Sequence, residues 1–144
     1  MSLAALRTGQ VIHQIDFARE AAYLAGYLHP GQLETSRKWR VLVEAFVCRQ
    51  LQAVCETVSP KPQFFFWRTR TAEEGDIICQ HGCIVKAFEI KSGAELQHGD
   101  TVGLQSFMKQ HEDCRCGMML SSGDHCWKLT GSNWKVPIKA LWAP

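Results

Sequence analysis

The chain is 144 residues long, 46% hydrophobic and 21% charged, with a formal net charge of +2, which is the size and apolar content of one domain with one core. So small a positive excess gives no whole-chain argument for nucleic acid, and no apolar run approaches the roughly 20 residues that cross a bilayer. The opening MSLAALRTGQVIHQ lacks a signal peptide's charged start and long apolar stretch. Seven cysteines without a CxxC pair suit reduced thiols in a cytoplasmic protein better than disulfides or a zinc site.

In chain order, residues 1–15 carry little pattern and are expected to be a poorly ordered flank, leaving 16–144 as the single domain. Asp16 can cap a short helix in which Phe17, Ala21, Leu24 and Leu28 recur at three and four residues, ending before His29-Pro30-Gly31. A longer helix is predicted from Thr35 or Ser36 to just before Ser59-Pro60, with Trp39, Leu42, Val43, Phe46, Val47, Leu51 and Val54 on its apolar stripe. Glu44 stands beside that stripe, where a carboxylate needs water, a partner or a metal.

After Pro62 the period becomes extended. Phe64–Arg68, Asp76–Cys79 and Ile84–Lys91 read as strands, the last two joined by a turn at His81-Gly82. Asp100 to Lys109 is a plausible helix. Gly117–Leu120, His125–Leu129 and Trp134–Ile138 are three further strands, the last placed at an edge because it carries Pro137. The four aromatics of Phe64-Phe65-Phe66-Trp67 are expected in the core rather than as base-stacking platforms. Cys48, Cys55, Cys79 and Cys126 are expected to act as small apolar fillers.

The chemistry sits on two of these strands. Residues two apart on a strand share a face, so Glu89 and Lys91 stand side by side while Phe88 and Ile90 face the other way. A tight hairpin brings Asp76 across from Glu89, and two such carboxylates are hard oxygen donors of the kind Mg²⁺ takes. The plainer account is also open: Glu44 paired with Arg40 or Lys38, Asp76 capping its hairpin, and Glu89 with Lys91 as a solvated strand pair.

The stretch from Gly75-Asp76-Ile77-Ile78-Cys79 to Phe88-Glu89-Ile90-Lys91-Ser92-Gly93 resembles the signature of the PD-(D/E)xK nuclease superfamily. Asp76 stands as its aspartate and Glu89-x-Lys91 as its (D/E)xK. Glu44, in LVEAFVCRQL, matches the glutamate that superfamily often carries on its first core helix, and Gln105, in GLQSFMKQH, matches a polar helix position near the site in some branches. More narrowly, the run from about Ala22 to Trp142 is similar to the C-terminal domain of bacterial and archaeal AAA-type ATP-binding proteins, through WRVLVEAFVCRQL, FFFWRTRTAEEGDIIC, KAFEIKSG, GLQSFMKQH, RCGMML and VPIKALW. Where that family usually has Glu-Val before the aspartate, this chain has Glu74-Gly75, which spares the carboxylate.

The resemblance implies an α/β, restriction endonuclease-like core, a mixed β-sheet flanked by helices on both faces. It further implies Mg²⁺ or Mn²⁺ held by Asp76, Glu89 and the backbone carbonyl of Ile90, with Lys91 orienting water or stabilising charge and Glu44 reaching a water or second metal. The substrate implied is a DNA or RNA phosphodiester. Arg68 and Arg70, with Lys86, Lys109 and Arg115, are candidates for phosphate contacts. The resemblance also implies an AAA-type ATPase upstream or in trans; this chain has no GxxxxGK(S/T) loop, so ATP hydrolysis is not expected of these residues. The rival expectation is a non-cleaving regulatory or binding module for such an ATPase; a homo-oligomer packing through Trp134–Trp142 is a third.

Overall fold

The structure, a computed structural model, describes residues 26, 30–35, 37–68, 74–97 and 99–142. The predicted helix over 16–28 falls, but for Gly26, outside the described residues. The first described helix, α1 (Pro30–Glu34), begins where the sequence suggested a break. Proline has no N–H to lose at the first helical position and its fixed φ suits it, so this proline opens a helix instead of closing one.

Helix α2 (Arg37–Cys55) buries Trp39, Val43, Val47 and Leu51, one residue every four, so a single stripe faces inward. It ends ahead of Ser59-Pro60, as expected. The sheet begins with β1 (Gln63–Arg68), β2 (Glu74–His81) and β3 (Ile84–Lys91). β2 and β3 form an antiparallel hairpin closed by His81↔Ile84. Its two-residue turn is Gly82-Cys83, one residue later than read, and Gly82 takes φ +60°, a conformation that favours glycine. Helix α3 (Val102–Gln110) then carries the chain over to β4 (Cys114–Ser121), which pairs parallel to β3.

The chain closes with β5 (Trp127–Lys128), β6 (Asn133–Pro137) and a 3₁₀ turn over Ile138–Trp142. The six strands are ordered β1-β2-β3-β4-β6-β5, so the sheet is mixed. β6 is therefore interior, contrary to the edge position read from its proline. Pro137 is tolerated because it is the last strand residue, and β5 pairs only with Trp134 and Lys135, leaving no ladder bond there for its missing N–H.

Each sheet face is covered. Ile77, Phe88, Ile90 and Leu120 pack with the α2 stripe, Leu33 and Ile138, while Ile78, Val85 and Ala87 pack with Leu104, Phe107 and Cys114 on the other side. The fold is thus mixed α/β with helices on both faces of a six-stranded sheet. Under α3, a Cβ on Gly117 would stand 2.3 Å from Asn133 Oδ1 and 2.9 Å from Met108 Sδ. Only glycine allows the helix to lie that close.

All seven cysteines are free thiols. Of those expected as apolar filler, Cys48, Cys55 and Cys79 are half-buried, but Cys126 is exposed and Cys114 is the buried one, because 126 falls in the loop before β5. No helix among the described residues is long and apolar enough to cross a membrane.

Candidate metal and catalytic site

Three ionisable residues meet where β2 and β3 part. The ladder between them runs as far as Ile77↔Phe88, and the next residue on each strand is Asp76 and Glu89. In place of a further backbone bond, Asp76 Oδ2 accepts the Ile90 N–H at 2.6 Å, which fixes the aspartate across the gap between strands. Glu89 is 7% exposed. Its Oε1 lies 3.0 Å from Lys91 Nζ, as the two-residue spacing requires, while its Oε2 is buried with no hydrogen-bond partner among the described residues.

The electrostatics follow from this crowding. Burial, then the charge of Asp76, pushes the Glu89 carboxyl up to about 7, against the pull of Lys91 and Arg40. Burial also raises Asp76, helped by the charge of Glu44, although the Ile90 N–H, Lys91 and Arg40 oppose the rise. For Lys91 burial acts downward, yet hydrogen bonds and charges from Glu89 and Asp100 outweigh it and raise the ammonium. Lys91 therefore stays protonated at neutral pH and acts as a cation and donor, not as a base.

Asp100 was not singled out in the sequence beyond opening a helix. Its Oδ1 lies 3.4 Å from Lys91 Nζ and its Oδ2 accepts the Gln97 N–H at 2.6 Å. An acid at the head of the helix that follows a Glu-x-Lys strand is the signal that could have marked it. In a parallel crossover that helix start returns to the strand's end.

The remaining candidates are more loosely gathered. Glu44 accepts from Arg40 Nε at 2.7 Å, the pairing open to it on its own helix, and lines with Asp76, Val41, Phe66 and Trp67 a cleft of about 410 Å³. Gln105 donates to Thr101 Oγ1 at 3.1 Å, one turn back on α3. Ile90 enters the site through its N–H. Arg70 and the side chain of Arg68 lie outside the described residues. Lys86, Lys109 and Arg115 are exposed, and Lys86 is about 17 Å back along β3 from Lys91 at ~3.3 Å per residue. The aromatic strand is divided: Phe64 and Trp67 pack on the core, while Phe65 and Phe66 are 46% and 81% exposed. β1 is an edge strand whose register shifts between Phe65 and Trp67, so alternation does not bury all four.

The donors suit a hard divalent cation. Two adjacent carboxylates, Glu89 buried and Asp76 half-buried, repel each other, and a buried carboxylate oxygen without a partner is costly until a proton or a cation meets it. Among the described residues no three His, Cys, Asp or Glu side chains are grouped closely enough to hold an ion by themselves. An ion held by these two carboxylates would have to keep most of its waters, as Mg²⁺ does.

A family model, described as a domain of unknown function (DUF4143), matches residues 41–141. No curated protein and no solved structure matches the chain.

Proposed function

We propose, from the premise that this chain belongs to the DUF4143 family, that it is a metal-dependent phosphodiesterase acting on DNA or RNA through a restriction endonuclease-like core. The observation that carries this is the meeting of Asp76 and Glu89 at the parting of β2 and β3, with a protonated Lys91 beside them and one Glu89 oxygen without a partner among the described residues.

Asp76 and Glu89 would hold Mg²⁺ or Mn²⁺, which when bound supplies neutralisation of phosphate charge and a more acidic water. The Ile90 N–H keeps Asp76 Oδ2 in place, so the carboxylate needs no reorganisation when substrate arrives. Lys91, kept charged by Glu89 and Asp100, stands on the face of the sheet where Glu89 stands. Its ammonium is suited to the negative charge that grows on a phosphoryl oxygen. Glu44, released from Arg40, is near enough to the Asp76 cleft to orient a water.

Supercoiled and single-stranded DNA and RNA, incubated with the protein and Mg²⁺ or Mn²⁺, should be cleaved. Asp76→Ala is expected to lower the rate on the order of 10²-fold or more, since it removes a group acting on the reacting centre. Equal cleavage by wild type and Asp76→Ala would remove the nuclease. A second readout is independent of turnover: millimolar Mg²⁺ or Mn²⁺ should raise the Tm of wild type and leave Asp76→Ala unmoved.

One observation favours a second reading, the non-cleaving module of an AAA-type ATPase. Lys91 is bracketed by two carboxylates and Glu44 is occupied by Arg40, the arrangement of a site retained for structure. It gains if neither metal shifts the Tm and no substrate is cut, while the chain binds an ATPase domain encoded with it.

A further inference from the structure

A second cleft opens two strands away, on the same face of the sheet as Glu89. Glu89 pairs with Met119 on β4, and Met119 with Lys135 on β6. Laterally paired residues share a face, so Lys135 stands in one row with the candidate catalytic glutamate. Lys135 is 2% exposed, an extreme position for a lysine. Its Nζ donates to Ala94 O at 2.5 Å and lies 3.9 Å from the centroid of the Trp127 ring.

No carboxylate lies within ion-pair distance of it among the described residues. One carbonyl and one aromatic face answer one of its three N–H donors and part of its charge, and among the described residues the rest has no counterpart. A buried ammonium in that condition is costly unless an anion completes it. Beside it, Ser121 Oγ is buried at 0% exposure with no hydrogen-bond partner among the described residues.

The two groups converge under Gly123. A Cβ on that glycine would stand 3.1 Å from Lys135 Nζ and 3.6 Å from Ser121 Oγ, and 2.9 Å from Ala94 O. The loops after β3 and β4, with β5 and Lys135, line a cleft of about 630 Å³ around this point. It sits at the carboxyl ends of two parallel strands, where α/β sheets commonly admit ligands. Of the acids on its lining, Asp124 is engaged by Lys139 at 2.5 Å and Glu95 is exposed, so neither neutralises Lys135.

We infer that Lys135 and Ser121 form an oxyanion site that takes a phosphoryl group, free or carried by a nucleotide or nucleic acid strand. Its size exceeds what inorganic phosphate needs, and the exposed part of Trp127, 42% of the residue, offers an aromatic surface beside it for a larger phosphate-bearing ligand. The site does not rest on the proposed nuclease activity. It needs no metal and no cleavage.

The test is a titration in EDTA at constant ionic strength. Inorganic phosphate should shift the amide resonances of Ala94, Ser122 and Gly123 saturably and raise the Tm, where chloride does neither. Lys135→Met, which keeps the length of the side chain, should weaken the response at least tenfold, and Ser121→Ala should weaken it several-fold. If Lys135→Met fails to fold, the amide shifts in wild type and the Ser121→Ala titration decide the matter alone. A mononucleotide and a short single-stranded oligonucleotide are the other arms. Displacement of phosphate by the oligonucleotide at lower concentration assigns the site to a strand, and by the mononucleotide to a free nucleotide. Wild-type shifts that miss these loops, or equal titrations by wild type and Ser121→Ala, overturn the site, whatever the outcome with Mg²⁺.

Discussion

Glu89 couples the candidate site to the stability of the whole chain. Its carboxyl rests near 7 in the folded protein against an ordinary value of 4.5. A carboxyl raised by folding binds its proton more tightly in the native state, so its contribution is fully present below about 4.5 and is lost as pH rises through about 7. Asp76, shifted in the same direction, adds to the trend. The metal-free protein is therefore expected to lose stability between about pH 5 and 8, with a Tm lower by a few degrees at the upper end, at roughly 2–4 °C per kcal/mol for a chain of this size. Glu89→Gln, which cannot ionise, should flatten that slope. Thermal melts across the range check it, and an equal slope in the variant would mean that Glu89 is not held in this buried, crowded state.

Among the elements, α3 has the tightest seat. Gly117→Ala would drive a methyl into Asn133, Met108 and Leu104, and overpacking of this kind costs about 1–3 kcal/mol, a Tm drop of several degrees by melt. Gly31→Ala, in a helix with open space around it, is the control and should be neutral or stabilising. The elements themselves were largely legible. The four-residue stripe of α2 and the alternation in β3 are local patterns that burial enforces, so Glu89 and Lys91 could be set side by side from spacing alone. Less legible was whatever depends on partners distant in sequence. The interior place of β6 follows from the order across the sheet, which no local period encodes. The same limit hid Asp100, which reaches Lys91 only because the crossover returns α3 to the end of β3. Glu44 was legible as a candidate, but its hold on Arg40 depends on rotamers that the sequence leaves open.

At the scale of the whole molecule, one segment contacts both Lys91 of the candidate site and Lys135 of the second cleft. The segment from Ser92 to Thr101 leaves the end of β3 and enters α3, and two ammonium groups grip it: Lys91 through Asp100 near its far end, Lys135 through the Ala94 carbonyl near its start. Ser122 adds two ties to its first residues, from its N–H to Gly93 O and from its hydroxyl to Ser92 O. None of the segment's described residues is fully buried, so their order rests largely on such polar contacts. Amide hydrogen exchange should reveal it. Lys135→Met is expected to speed exchange over 93–100 while leaving β2 and β3 protected, since local opening depends on few contacts there and global stability on the two packed faces.

The grip of two lysines on one strap makes it a clasp between the end of β3 and the middle of β6. If both proposed sites bind as inferred, a phosphate that draws Lys135 toward itself would loosen one end, and an ion that competes for Glu89 would shift Lys91 toward Asp100 at the other.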